Sequence, residues 1–161
     1  KLIVYEFILN REPSSLIIRT SCVYSSYGNN FVKTMLRLFK EKESIGVVND
    51  QFGCPTYAAD LAAIIMNFVE GSEDNNEYSG IVNYCNSGTT TWFDFASAIK
   101  EYVHSNCIIN PVSTSQYPTP AKRPQHSVLD TSKLRMMLQT EIPFWKDSLA
   151  NCLELLKATD K

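Results

Sequence analysis

Short apolar runs alternate with amphipathic stretches along this chain, and that alternation restricts its fold more than any other feature. The runs "LIIRTS", "IGVVND", "GIVNYCN" and "CIINPVS" have the length and β-branched content of strands. "LIIRTS" is of the kind buried on both faces of a parallel sheet. Between them, "NNFVKTMLRLFKEKES" puts Phe31, Met35, Leu38 and Phe39 on one helical face and Lys and Glu on the other. "DLAAIIMNFVEG" turns Leu61, Ile64, Ile65 and Phe68 inward and is expected to stop at Gly71. In "TTTWFDFASAIKEYVHS", Thr91 sits three residues before Asp94, the spacing of a capping box. Asp130 is a natural N-cap for "DTSKLRMMLQ", and "WKDSLANCLELLK" directs Trp145, Leu149, Cys152, Leu153 and Leu156 inward. "KLIVYEFILN" reads as a short helix broken by "EPSS". Such alternation specifies an α/β protein with a parallel sheet.

Composition narrows the function classes. A chain of 161 residues makes one domain, or one domain and a small lobe, and buries an ordinary core. A net charge of -2 provides no attraction to nucleic acid or to an anionic membrane. No apolar run approaches the roughly 20 residues of a membrane span, and no signal peptide opens the chain. The five cysteines, Cys22, Cys54, Cys85, Cys107 and Cys152, are odd in number, widely spaced and free of any C-x-x-C. This pattern is neither a disulfide framework nor a zinc knuckle, and it points to reduced thiols in a cytoplasmic protein. The sequence opens inside an amphipathic pattern with no Met and no cap. Residues 1–161 are therefore expected to be a single cut piece of a longer protein.

In open α/β sheets, ligands sit outside the carboxyl ends of strands. Three strand ends here carry polar or Gly-bearing loops: "RTSCVYSSYGNN", "VNDQFGCPT" and "NYCNSGTTT". In the second, Asn49, Asp50 and Gln51 suit a polyhydroxylated ligand, but the same residues suit a plain turn capped by Thr56 or Asp60. "GNNF" offers backbone amides to an anion or sugar, or simply a helix cap by Asn29 or Asn30. "YPTPAKRP" presents Lys122 and Arg123 on a stiff segment, suited to a phosphate or equally to solvent. Trp92, Trp145 and the Phe31, Met35, Leu38 stripe read as core, and His104 and His126 as surface residues. The sequence contains no G-x-G-x-x-G, no G-x-x-x-x-G-K-[ST] and no G-x-S-x-G. Cys22 lacks any evident base, so nothing supports it as a nucleophile.

Taken together, "RTSCVYSSYGNNFVKTMLRL", "VVNDQFGCPTYAADLA", "TTTWFDFA", "TSQYPTPAKRPQHSVLDTSKL" and "IPFWKDSL" resemble the dTDP-4-dehydrorhamnose reductase family of extended short-chain dehydrogenases/reductases. The resemblance covers only the C-terminal half of such an enzyme. It implies the last elements of a Rossmann-type fold with a small mixed α/β substrate-binding lobe. It also implies reduction by NADPH or NADH of the C4 keto group of dTDP-6-deoxy-L-lyxo-4-hexulose, giving dTDP-L-rhamnose. The family's Gly-rich turn, Ser/Thr and Tyr would precede residue 1, and Lys1 falls on the Lys of its Y-x-x-x-K. Thr20, Ser21 and Val23 fall on the turn that approaches the nicotinamide. The resemblance places Cys22, Asn29, Asn30, Phe31, Asp50, Gln51, Gly53, Pro55 and Thr56 around the sugar nucleotide. It puts Arg123 on the diphosphate or deoxythymidine, and this favours a ligand contact over a solvated loop.

Departures from the family pattern refine these expectations. Val4 and Tyr5 stand where Gly and Glu are usual, and Cys22 stands where a Trp lines the pocket. Ala59 replaces a Glu that ligates a metal in some members, so no metal of that kind is expected. The piece alone is expected to bind no cofactor and to be inactive, and its exposed edges are expected to self-associate. A non-catalytic, reductase-like regulatory or sugar-nucleotide-binding protein is the alternative.

Overall fold

The computed structural model describes residues 2–73, 78–117, 121 and 123–159, with the backbone alone at residues 2, 3, 72, 73 and 159. In chain order the elements are α1 (Leu2–Arg11), β1 (Leu16–Thr20), β2 (Val23–Tyr24), α2 (Phe31–Glu41), β3 (Ser44–Val48), β4 (Phe52–Gly53), β5 (Thr56–Tyr57) and α3 (Ala58–Glu73). They continue with β6 (Gly80–Tyr84), β7 (Thr90–Thr91), α4 (Trp92–Tyr102), β8 (Ile108–Val112), a 3-10 turn (Thr114–Gln116), α5 (Ser132–Leu138) and α6 (Trp145–Thr159).

The four apolar runs pair in parallel, as an α/β fold requires. β1 lies beside β6 with Ile17 opposite Ile81 and Ile18 opposite Val82. β3 lies beside β8 with Ile45 opposite Ile109 and Val48 opposite Val112. Pro111 lacks an N–H, and β8 tolerates it because its only ladder partner among the described residues is β3. Two segments that read as loops contain short ladders. β2 runs parallel to β5, and β4 antiparallel to β7. Cys54, Thr56 and Tyr57 are buried there, so their backbone groups need partners that a solvated loop would find in water.

Two apolar clusters hold these elements. One gathers Val32, Met35 and Phe39 of α2, Phe95 and Ile99 of α4, and Leu149, Cys152 and Leu153 of α6. The other gathers Ile64 and Phe68 of α3, Val82 and Tyr84 of β6, and Leu134 of α5. A fully buried side chain such as Phe95 contributes about 1.5–3 kcal/mol relative to exposure. The predicted inward face of α6 is buried throughout. On α3, Ile64 and Phe68 point inward, but Ile65 is 43% exposed, because it sits one residue round the helix from the buried stripe. Gly71 does not end α3, which runs on to Glu73. A Cβ at Gly71 would lie 2.7 Å from the Tyr78 hydroxyl, so glycine serves close approach rather than termination.

The predicted caps resolve with small shifts. Asn30 caps α2, its side chain accepting from the Lys33 N–H at 3.2 Å. Thr91 caps α4, accepting from the Asp94 N–H at 3.0 Å and donating to its carboxylate at 2.7 Å. Asp130 sits one residue outside the start of α5, where Thr131 is the cap residue, and accepts from the Ser132 N–H at 2.9 Å.

A single buried amide joins the two clusters. Asn86 is 1% exposed. Its oxygen accepts the Tyr57 N–H at 2.7 Å, and its nitrogen donates to Asp60 at 2.6 Å and to Ser148 at 2.8 Å. Ser148 in turn donates to the same Asp60 oxygen. Replacing Asn86 with Ala leaves a buried N–H and a carboxylate short of partners, a loss of about 1–3 kcal/mol for each such group. The Asn86→Ala chain is therefore expected to unfold at distinctly lower urea, with a loss of about 3 kcal/mol. A midpoint equal to that of the parent chain would refute the role.

Candidate functional site

The carboxyl ends of the parallel strands come together through a small number of polar struts. Cys22 adopts a positive φ of 50°, an uncommon conformation for a residue with a Cβ, and bends the chain from β1 into β2. Its carbonyl accepts the Thr56 N–H at 3.2 Å. The fully buried Thr56 hydroxyl donates to the Ser21 carbonyl at 2.7 Å and accepts from Thr20 at 3.1 Å. Ser21 donates to the Cys54 carbonyl at 3.1 Å. Residues 20–22 and 54–56 thus form one rigid unit.

A second strut fixes the end of β3. Asp50 accepts from the Thr114 N–H at 3.0 Å and from its hydroxyl at 2.6 Å, and Gln51 donates to the same hydroxyl at 3.1 Å. These hydrogen bonds hold the Asp50 carboxyl below the usual carboxylate range. A third strut carries the Arg123 segment. The Phe52 N–H donates to the Gln125 carbonyl at 2.7 Å, and the Ser127 N–H donates to the Phe52 carbonyl at 2.9 Å. The Phe52 and His126 rings stack with centroids 5.1 Å apart.

Between these struts lies a cavity of about 490 Å³, lined by Phe31, Thr34, Met35 and Leu38 of α2, by residues 45–48 of β3, and by Gln51, Trp92, Tyr117 and Arg123. It is an apolar slot with a few converging polar groups and one guanidinium, a composition and size typical of small-molecule sites. Phe31 and Trp92 meet at its wall with ring centroids 4.8 Å apart. On the other side of Gln51 and Trp92 is a tight recess of about 20 Å³. It is lined by Cys22, Gly53, Cys54 and Pro55 together with Phe52, Phe95 and Ser127. A wider groove of about 860 Å³ opens near the amino ends of β3 and β8, beside Lys40, Lys42, His104 and Lys157. It contains none of the expected site residues and lies at the wrong end of the strands for a parallel-sheet ligand.

The structure therefore sorts the expected residues. Phe31, Gln51 and Arg123 line the slot; Cys22, Gln51, Gly53 and Pro55 line the recess. Asp50, Thr56 and Asn30 have their side chains engaged by other parts of the chain. Thr20, Val23 and Asn29 are exposed. Lys1, like Lys122, lies outside the described residues. Trp92 is half-buried at both cavities and not simply core, and Thr34 and Tyr117 join it there. Only the "NYCNSGTTT" loop, which leads into Trp92, hinted at this. The Cys22 thiol is pushed up, first by burial and then by Cys54, as expected of a filler rather than a nucleophile. Phe52, Trp92 and Phe95 already occupy the space around it. Among the described residues, no group of three or more His, Cys, Asp or Glu is placed to hold a metal, and no helix is long and apolar enough to cross a membrane.

The Asp50 strut has a pH signature. Its folded-state pKa lies below the ordinary value of about 3.9. Its contribution is thus complete above that value and disappears as the pH falls through the lower folded value. Asp50→Ala is expected to lower the melting temperature at pH 7, and the gap from the parent should shrink as the pH drops below about 4. A gap that stays constant from pH 7 to pH 3 would contradict the strut.

Residues 1–158 match the RmlD substrate binding domain. The chain is 41% identical over 150 residues to dTDP-4-dehydrorhamnose reductase of Escherichia coli K12, covering 89% of this chain and 50% of that protein. It superposes on the crystal structure of dTDP-4-dehydrorhamnose reductase from Bacillus anthracis in complex with NADP with a TM-score of 0.84 at 37% identity, over 93% of this chain and 51% of the other. The Clostridium acetobutylicum dTDP-4-dehydrorhamnose reductase gives a TM-score of 0.88 at 33% identity, over 98% and 54%. The chain spans about half the length of the curated relatives it matches.

Proposed function

The chain belongs to the RmlD substrate binding domain family, that of the dTDP-4-dehydrorhamnose reductases, and we propose that it forms the substrate-binding portion of such a reductase. The observation that carries this reading is the cavity at the carboxyl end of β3, where Phe31, Trp92, Gln51 and Arg123 meet. An aromatic-walled slot suits a flat pyrimidine base. A guanidinium at its rim suits a diphosphate, which it grips with a fork of charged donors. Gln51 stands between slot and recess, placed to hydrogen-bond a sugar hydroxyl.

In the whole protein the reaction would be reduction of the C4 keto group of a dTDP-4-keto-6-deoxy sugar to the alcohol, giving dTDP-L-rhamnose. NADPH or NADH, when bound, supplies the hydride. The residues present suit one edge of that cofactor: Val23 is 47% exposed beside the carboxyl end of β1, an apolar side chain open to a flat ring, with Thr20 and Ser21 next to it. The sequence contains no Gly-rich turn for the pyrophosphate. The struts at Thr56 and Asp50 keep the sugar and cofactor contacts in fixed register, which is what productive alignment of a donor and a carbonyl demands. Lys1 is proposed as the Lys of the family's Y-x-x-x-K, lowering the pKa of the proton-donating Tyr. A cytoplasmic location fits a chain whose five cysteines are all free thiols.

Arg123→Ala is expected to weaken dTDP binding ten- to hundredfold by calorimetry, the equivalent of about 1.5–3 kcal/mol for a charge-assisted hydrogen bond, with Arg123→Lys intermediate. Equal affinities in all three would remove the cavity as the nucleotide site. In the same series, the whole protein should turn over the 4-keto sugar nucleotide with NADPH, and residues 1–161 alone should not.

Self-association is also proposed. Among the described residues β1 pairs only with β6, and Val4 and Phe7 of α1 are each 56% exposed. An open strand edge beside an apolar helix face recruits a further copy. Light scattering should report a mass above that of one chain, rising with concentration; a constant monomer mass rejects the idea.

A further inference from the structure

The recess beside the slot differs from it in chemistry as well as in size. Cys22, Pro55 and the rings of Phe52, Trp92 and Phe95 form its apolar walls. The hydroxyl groups among its lining residues have already given their hydrogens to other parts of the chain. Thr90 donates to the Thr91 carbonyl at 3.2 Å, Thr91 to the Asp94 carboxylate at 2.7 Å, and Ser127 to the Phe52 carbonyl at 3.1 Å. A volume of about 20 Å³ is room for one group of the size of a water or a methyl. An ordered water needs about two to four polar partners, and walls of this kind suit the methyl better.

Its position ties the recess to the reacting end of a ligand. Recess and slot have Gln51 and Trp92 as common walls. Cys22 forms the bend between β1 and β2, with Ser21 and Val23 as its chain neighbours. With the base in the slot and the diphosphate at Arg123, the sugar is the next part of the ligand. The recess is the next space past Gln51 and Trp92.

Resting on the reading of the slot as the nucleotide site, we propose that the recess seats the C6 methyl group of the sugar and that Cys22 makes the chain specific for 6-deoxy sugars. A methyl has no hydrogen bonds to lose, and its removal from water into an apolar space is favourable. The C6 hydroxymethyl of an ordinary hexose adds an oxygen for which the recess has little room. That oxygen would also meet walls whose hydroxyl hydrogens are spent, and a buried hydroxyl without a partner is costly. C6 lies two bonds from C4. A seated methyl therefore fixes the keto carbon relative to the turn of residues 20–23, where Thr20, Ser21 and Val23 face the cofactor edge. The Cys22 side chain is small enough to leave this space open. A bulkier apolar side chain would fill it, and a polar one of the same size would give a C6 hydroxyl a partner. Cys22 thus sets which sugar is held in register without taking part in the chemistry.

The test measures, by calorimetry, the binding of dTDP, dTDP-L-rhamnose and dTDP-L-mannose to the whole protein saturated with NADP. The two sugars differ only in the oxygen at C6, and dTDP, which ends before the sugar, reports the slot by itself. dTDP-L-rhamnose should bind about tenfold or more tightly than dTDP-L-mannose, the cost of one unpartnered hydroxyl. Cys22→Ser, close to cysteine in size, should narrow that ratio to about threefold or less. Cys22→Leu should fill the recess and remove the advantage of dTDP-L-rhamnose. Arg123→Ala should weaken both sugars alike and keep the ratio. Failure of dTDP to bind defeats the slot reading and the recess with it. If dTDP binds but the parent protein takes both sugars equally, or if neither Cys22 variant changes the ratio, the slot reading stands and the recess proposal is overturned.

Discussion

The structure hangs on one buried amide. Asn86 receives the first N–H of the α3 approach through Tyr57 and donates to Asp60 and Ser148, so β6, the start of α3 and the start of α6 meet at a single side chain. A buried polar network of this kind is stabilising only when every member is satisfied. Here each group has a partner of the right sense, and the shared Asp60 oxygen receives both Asn86 and Ser148. The network fixes where residue 57 lies, and therefore where residues 54–56 can meet the end of β1.

From that point the site assembles outward. Thr56 locks the turn of residues 20–22 in place, and Asp50 locks the end of β3 to Thr114. Phe52 carries the Arg123 segment across both. The residues that look most like ligand contacts by composition are the ones that hold the loops still. Those that face the cavity are an aromatic, an amide and a guanidinium: Phe31, Gln51, which also donates to Thr114, and Arg123. Rigid support behind a small number of free polar groups is what a site needs if it is to position a substrate.

Cys22 illustrates the division between family pattern and local packing. Its thiol sits where the family resemblance leads one to expect an indole. The recess around it is nevertheless small, because Phe52, Trp92 and Phe95 converge on it. The loss of one large ring is thus absorbed by other rings, and the small residue at φ 50° leaves room for the sharp bend between β1 and β2.

The sequence by itself determined the α/β class, the four apolar strands, the helices, the inward face of α6 and the cap at Thr91, and narrowed the cap of α2 to Asn29 or Asn30. Each of these depends on periodicity or on a hydrogen bond within three residues, and such signals are local. It also identified the family, because several motifs in fixed order are specific where each alone is weak. It did not reveal the short ladders β2–β5 and β4–β7, the passage of α3 beyond Gly71, or the place of Trp92 at the cavity wall. Those depend on contacts between segments more than 30 residues apart, such as Val23 with Thr56, or on a ring such as Tyr78 folding back against a helix. Whether Asp50 met a ligand or Thr114 was likewise decided only in three dimensions. A carboxylate has the same local signature in either role, and what differs is the group that the fold brings to within hydrogen-bonding distance.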